Sequence, residues 1–213
     1  MLGRLSSRKL VLTLPSCSPS DQFGRAIVIR EVEAHAKASD SPICVGYIYF
    51  RYSDHTKATT QDCLEVLVKQ TLERHSECRP IAGEVYARHI QEKTRPSEDE
   101  LLNLLRRCAG MMLATFYFLD AIDEAPPGVQ LRLLKKLSSL NVQLFITSRP
   151  MALLQAQFPN SHQYPIRAQD HDLDLHINKE ISRSVVLRHI LTTHGSELQD
   201  RVRAKIKEKC GGM

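Results

Sequence analysis

The sequence predicts an α/β fold, a three-layer sandwich of helices packed around a mostly parallel sheet of about five strands. Three features of the stretch 113–150 carry that expectation. Phe116–Leu119 is a continuous apolar run, rich in aromatics and too short for a helix. It lacks the polar alternation of a half-exposed strand, so it reads as a strand covered on both faces. Val142–Thr147 repeats the pattern, and between the two runs Pro126, Pro127 and Gly128 break the chain before Leu131, Leu134 and Leu137 fall at helical spacing. Strand, helix, strand of this length is a βαβ unit, whose crossover is almost always right-handed.

The remaining elements follow in order. Lys9–Leu14 reads as a strand and Ala26–Ala38 as a helix, joined by the polar segment Pro15–Arg25. Pro42–Tyr52 is an aromatic-rich second strand. Thr59 and Asp62 stand at capping-box spacing, and Leu64, Leu67, Val68, Thr71 and Leu72 then trace one helix face. Gln70, on the same helix, is assigned no chemistry. A helix over 82–93 is broken at Arg95-Pro96; Ser97 and Glu100 cap the next, Glu98–Cys108, which Gly110 ends. Beyond Pro150, Met151–Gln157 reads as a short helix, Gln163–Arg167 as the last strand, and 170–193 and Ser196–Lys209 as two helices. The organisation expected is an atypical segment over 1–25, an α/β domain over 26–168 and a helical extension over 169–213.

In open α/β sheets, ligands bind beyond the carboxyl ends of the strands. Asp120, Asp123, Glu124 and Arg149 all fall there. An aspartate at a strand end suits Mg²⁺, a nearby acid can orient or deprotonate water, and an arginine at the neighbouring strand tip can meet a γ-phosphate. An acidic helix start favoured by the helix dipole explains any one of these acids. It does not explain the whole set with its arginine.

At this point a resemblance enters. Phe116–Glu124, FYFLDAIDE, resembles the Walker B segment of NACHT-type STAND nucleotidases, and Leu144–Pro150, LFITSRP, resembles their sensor 1 strand. The likeness is strongest to fungal NACHT proteins with nephrocystin-3-like N-terminal domains, and extends more loosely from about Ala26 to Met213. It implies a P-loop NTPase-like sandwich with the Walker B strand beside the sensor strand, followed by the start of a helical subdomain. Mg²⁺ and ATP or GTP are the implied cofactors. Asp120 is the implied metal ligand, Asp123 and Glu124 the catalytic acids, and Arg149 the residue that binds the nucleotide's γ-phosphate. Related NACHT subunits are the implied protein partners. The chain stops where that family continues into winged-helix and repeat regions.

One part of the pattern is missing. A phosphate-binding loop needs glycines for close backbone approach, a lysine on the β/γ-phosphates and a Ser/Thr on Mg²⁺. Here those Gly-Lys-Ser/Thr slots fall near Ser20, Asp21 and Gln22, and Asp21 would repel phosphate. At roughly 1.5–3 kcal/mol per charge-assisted hydrogen bond, losing the lysine and two or three cradle contacts removes about 4–8 kcal/mol, some three to six orders of magnitude in affinity. Two explanations stand: a decayed loop on a retained fold, or an N-terminus that is truncated or misread. Two functions stand with them: a nucleotide-binding signalling switch with little turnover, and a non-catalytic interaction module.

Composition narrows the partners. The 213 residues carry 29 basic and 24 acidic side chains, net +5, with both signs interspersed and no basic stripe, so a nucleic-acid surface is not expected. Lys135-Lys136 and Arg106-Arg107 read as solvated helix faces. The six cysteines show no metal-ligand spacing and read as reduced, buried thiols. No apolar run approaches the ~20 residues that span a bilayer. A cytoplasmic protein without membrane contact is expected.

Overall fold

The computed structural model describes residues 9–13, 19–51, 58–165, 170–193 and 195–211. Five strands, β1 (Lys9–Thr13), β2 (Ile43–Tyr49), β3 (Ala114–Asp120), β4 (Gln143–Ser148) and β5 (His162–Pro165), form one sheet in the order β2-β3-β4-β1-β5. The β2/β3, β3/β4 and β4/β1 pairs are parallel. Six helices accompany them: α1 (Pro19–Ala38), α2 (Thr60–Arg74), α3 (Arg79–Glu92), α4 (Glu98–Met111), α5 (Pro127–Ser138) and α6 (Ala152–Gln157). The chain divides between Tyr164 and Pro165, and the second compact unit holds α7 (Asp170–Arg183), α8 (Val185–Thr193) and α9 (Gly195–Gly211).

The apolar run in β3 is explained by its two covered faces. Tyr117 and Leu119 join Leu64, Leu67, Leu105 and Leu133 on one side. Phe116 and Phe118 join Ile29, Ile43 and Val45 on the other, where α1 packs. Phe118 is paired in register with Phe145 of β4, their rings 5.1 Å apart. Gly46 lets α2 close on the sheet, because a Cβ there would lie 3.0 Å from Tyr117 and 3.1 Å from Leu67.

Strand β2 is an edge, and an open edge is a template for unwanted pairing. Its outward backbone groups are met by α2. Tyr47 N–H donates to Gln70 Oε1 at 2.8 Å while Gln70 Nε2 donates to Tyr47 O at 2.9 Å. Arg74 donates to Val45 O at 2.7 Å and pairs with Glu33 at 2.9 Å. Gln70, which the sequence left without a role, is therefore an edge clamp.

Both expected capping boxes form, Thr59 with Asp62 and Ser97 with Glu100. Elsewhere the boundaries differ from those expected. Helix α1 begins at Pro19 rather than near Ala26, with proline in its first turn, where its missing N–H costs nothing. Ser20, Asp21 and Gln22 thus lie at the helix start; the loop 14–18 and the side chains of 19–27 are outside the described residues. Gly110 does not end α4, which continues to Met111 and stops where Met112 turns extended. Leu131 is half exposed, and Leu133 is buried beside Leu134 and Leu137 instead. Lys136 is not a solvated lysine: it pairs with Glu98 at 3.3 Å and Asp99 at 2.7 Å at the start of α4. The expected helix over 170–193 is split at Ser184, whose hydroxyl caps α8 by accepting from Leu187 N–H at 3.2 Å. Residues 166 and 167 of the expected last strand, and Cys17, are outside the described residues. Cys44, Cys63, Cys78 and Cys108 are buried free thiols.

Candidate functional site

Strand β3 ends in Asp120, and the chain must turn at once to reach α5. Ala121 makes that turn in the left-handed region, φ 54° and ψ 48°, which costs a residue with a Cβ about 1–2 kcal/mol. A single 3-10 turn, Ile122–Glu124, follows, and Pro126 and Pro127 start α5. Gln130 of α5 reaches back, donating from Nε2 to Ala125 O at 2.6 Å and to Asp123 O at 3.3 Å. The acidic turn is thereby fixed from behind.

From the front it is fixed by the exit of β4. Thr147, 2% exposed, donates its hydroxyl proton to Asp120 Oδ1 at 2.5 Å and accepts Ala121 N–H at 2.9 Å. One hydroxyl thus orients the carboxylate and satisfies the amide of the strained residue beside it. Two residues on, Arg149 donates from its backbone N–H to Asp123 Oδ1 at 3.2 Å and from Nε to Asp123 Oδ2 at 2.6 Å. The Asp123 side chain is 8% exposed and that of Arg149 54%.

The two consecutive acids part company. Asp123 faces the β4 exit, whereas Glu124 lines a groove of about 160 Å³ on the β2 side, with Tyr49, Phe50, Arg51, Ala58 and Asp62. Asp120, Asp123 and Arg149 do not line that groove. Tyr49 is the register partner of Asp120, and burial together with that carboxylate pushes its phenol above the usual range. Of the four residues expected from sequence, the structure gathers Asp120, Asp123 and Arg149 around the β4 exit and sets Glu124 apart. Sequence reasoning missed Thr147 and Gln130. The available signal for Thr147 was a hydroxyl at the end of an otherwise apolar run.

Among the described residues no three His, Cys, Asp or Glu side chains converge as a metal cage. That does not argue against Mg²⁺, which is ordinarily held by one or two carboxylates together with phosphate oxygens and water. Asp120, buried at a strand end and oriented by a hydroxyl, has the chemistry for such a ligand.

Residues 23–149 match the family model described as Nephrocystin 3, N-terminal. The chain belongs to the nephrocystin-3 N-terminal family. The matched span includes the acidic turn and closes on Arg149; β5 and α7–α9 lie beyond it. Among solved structures, the ORC2 protein of Aeropyrum pernix, in ADPNP–ADP complexes, aligns over 84% of this chain at 12% identity and a TM-score of 0.51. This chain spans about half, 47%, of that protein. The likeness is one of fold alone, that of a P-loop NTPase-like α/β domain. The Drosophila ORC bound to DNA (13% identity, 79% of this chain and 38% of that one, TM-score 0.46) is a weaker match. So is a DNA replication initiation factor (9%, 95% and 55%, 0.41). No curated protein matches the chain. Among the described residues no helix is long and apolar enough to cross a membrane.

Proposed function

We propose that this nephrocystin-3 N-terminal domain is a NACHT-type signalling module that binds Mg²⁺-nucleotide weakly and turns it over little or not at all. The observation that carries the reading is the double tether at the carboxyl end of the sheet, Thr147 on Asp120 and Arg149 on Asp123. It keeps a metal-type carboxylate and a phosphate-type guanidinium side by side where ligands of open α/β sheets sit. Asp120 would hold Mg²⁺, which when bound would neutralise phosphate charge. Arg149 would meet the terminal phosphate, and Glu124, at the edge of its own groove, would act on water only if the turn reorients. Phosphoryl transfer depends on positioning and charge stabilisation. With Asp21 in place of the phosphate-loop lysine, positioning is the deficient part. The output is proposed to be protein–protein contact, with related domains as the partner class.

Titration of Mg²⁺ and a fluorescent ATP analogue into wild type and Asp120→Ala tests this reading. Binding that weakens about tenfold in the variant is the expected result. A folded wild-type chain that shows no binding at millimolar nucleotide rejects it. The second reading, a scaffold that binds no nucleotide, would then stand, favoured by the same Asp21.

A further inference from the structure

The Asp123–Arg149 pair has an asymmetry that the nucleotide reading leaves unused. Asp123 is buried, fixed by the 3-10 turn and by Gln130 on its carbonyl; Arg149 is half exposed at the very tip of β4. The buried partner is anchored, while the exposed one stands where a ligand from solvent can reach it. Arg149 also grips Asp123 in two unlike ways, through a backbone N–H that cannot leave without moving the strand and through a side-chain Nε that can. A terminal phosphate presents to a guanidinium the same sign of charge and the same paired oxygens as a carboxylate. Asp123 therefore already occupies the arginine that such a ligand needs.

We infer that Asp123 is an internal competitor for Arg149, a carboxylate standing where the terminal phosphate of a ligand would stand, rather than the group that orients water. The inference rests on the proposed role of Arg149 toward phosphate but not on Mg²⁺ or on Asp120. In the resting domain the guanidinium bridges the exits of β3 and β4. A phosphate-bearing ligand takes the guanidinium, Asp123 keeps only the backbone N–H of Arg149, and the side-chain bridge between the two strand exits is lost. The exchange sets a threshold for binding, because part of each phosphate contact is spent in displacing the carboxylate. It also converts occupancy into a change at the turns leading to α5 and α6, the surfaces from which a partner would read it. No bond is made or broken in the step; one charge-assisted contact replaces another.

The prediction runs opposite to that for a catalytic or metal-binding aspartate. Asp123→Asn keeps the shape of the side chain and removes the charge that competes. With inorganic triphosphate as the probe, in EDTA so that Asp120 and metal take no part, Asp123→Asn should bind about tenfold more tightly than wild type. Arg149→Gln should lose the binding, and the double variant should behave as Arg149→Gln. Equal or weaker binding by a folded Asp123→Asn overturns the inference, as does a double variant that keeps the gain. Should Asp123→Asn fail to fold, the wild-type chain decides by NMR. The Arg149 Nε–H resonance should shift progressively as triphosphate is added, and a resonance that stays in place at saturation overturns the inference. The two proposals fail separately. A gain in Asp123→Asn without any effect of Asp120→Ala on Mg²⁺-nucleotide removes the metal reading alone. The reverse pattern removes the competitor alone.

Discussion

Two buried threonines sit on neighbouring strands at opposite ends of the sheet, and they differ in everything but composition. Thr147, at the carboxyl end of β4, uses its hydroxyl twice, toward Asp120 and from Ala121. Thr115, near the amino end of β3, is 3% exposed and its Oγ1 has no hydrogen-bond partner among the described residues. Around the first, charged groups are held by short contacts. At the amino end of the sheet, Cys44, Cys78, Cys108 and Met112 form a cluster of soft, neutral side chains. A buried hydroxyl without a partner is a cost that natural sequences usually remove, whereas one that serves a carboxylate is worth keeping. The two ends of one sheet are thus built differently, one around paired charged groups and the other around buried neutral side chains.

The same substitution at the two sites should act with opposite sign. Thr147→Val removes the Thr147 hydrogen bond from the Asp120 carboxylate and the hydroxyl that accepts Ala121 N–H, both buried, so chemical denaturation should show a loss of about 2–4 kcal/mol. Thr147→Ser keeps the hydroxyl and should lose less than about 1 kcal/mol. A serine variant as unstable as the valine one would mean that the methyl group, and not the hydrogen bonds, sustains the β4 exit. Thr115→Val should raise stability by about 1 kcal/mol, because it removes a hydroxyl that burial leaves unsatisfied. If both valine variants destabilise alike, the contrast between the two ends is wrong.

What could be read from the sequence was local or periodic. The β3 and β4 strands were visible because both of their faces are apolar, and the two capping boxes because each closes within three residues of itself. Asp120, Asp123 and Arg149 were legible as strand-exit residues, since chain order alone places them at one end of a parallel sheet. Their mutual contacts were not. Thr147 meets Asp120, and Arg149 meets Asp123, only because β3 and β4 are adjacent and in a particular register. The parting of Asp123 from Glu124 depends in turn on β3 having a different neighbour on each side. Gln70 was illegible for the same reason: a polar residue on a helix acquires its role from the edge strand beneath it. Where sequence reasoning erred, at Leu131 and Lys136 a packing partner overrode a local signal, at Gly110 the helix ran on to Met111, and at Ser184 a local cap divided a longer apolar pattern.

The smallest expected effect tests the amino end of the sheet from the alkaline side. Burial pushes the Cys44 thiol up to about 11 and the Cys108 thiol up to about 12, against 9.0 for a free cysteine. A group whose pKa is raised by folding contributes stability that is intact below its unfolded value and fades as pH climbs toward the folded one. Each thiol should therefore steepen the loss of stability that begins near pH 9 and runs to about 11 for Cys44 and about 12 for Cys108. The quantity to compare is the slope between pH 9 and 10.5 for wild type and Cys108→Ala, measured by denaturant titration so that lysine and tyrosine titration cancels in the difference. The variant should start less stable, because a packed side chain is gone, and then lose stability more gently with pH. Parallel slopes would show that Cys108 meets solvent in the folded chain. The amino end would then admit charge as the carboxyl end does, and the division between the two ends would rest on Thr115 alone.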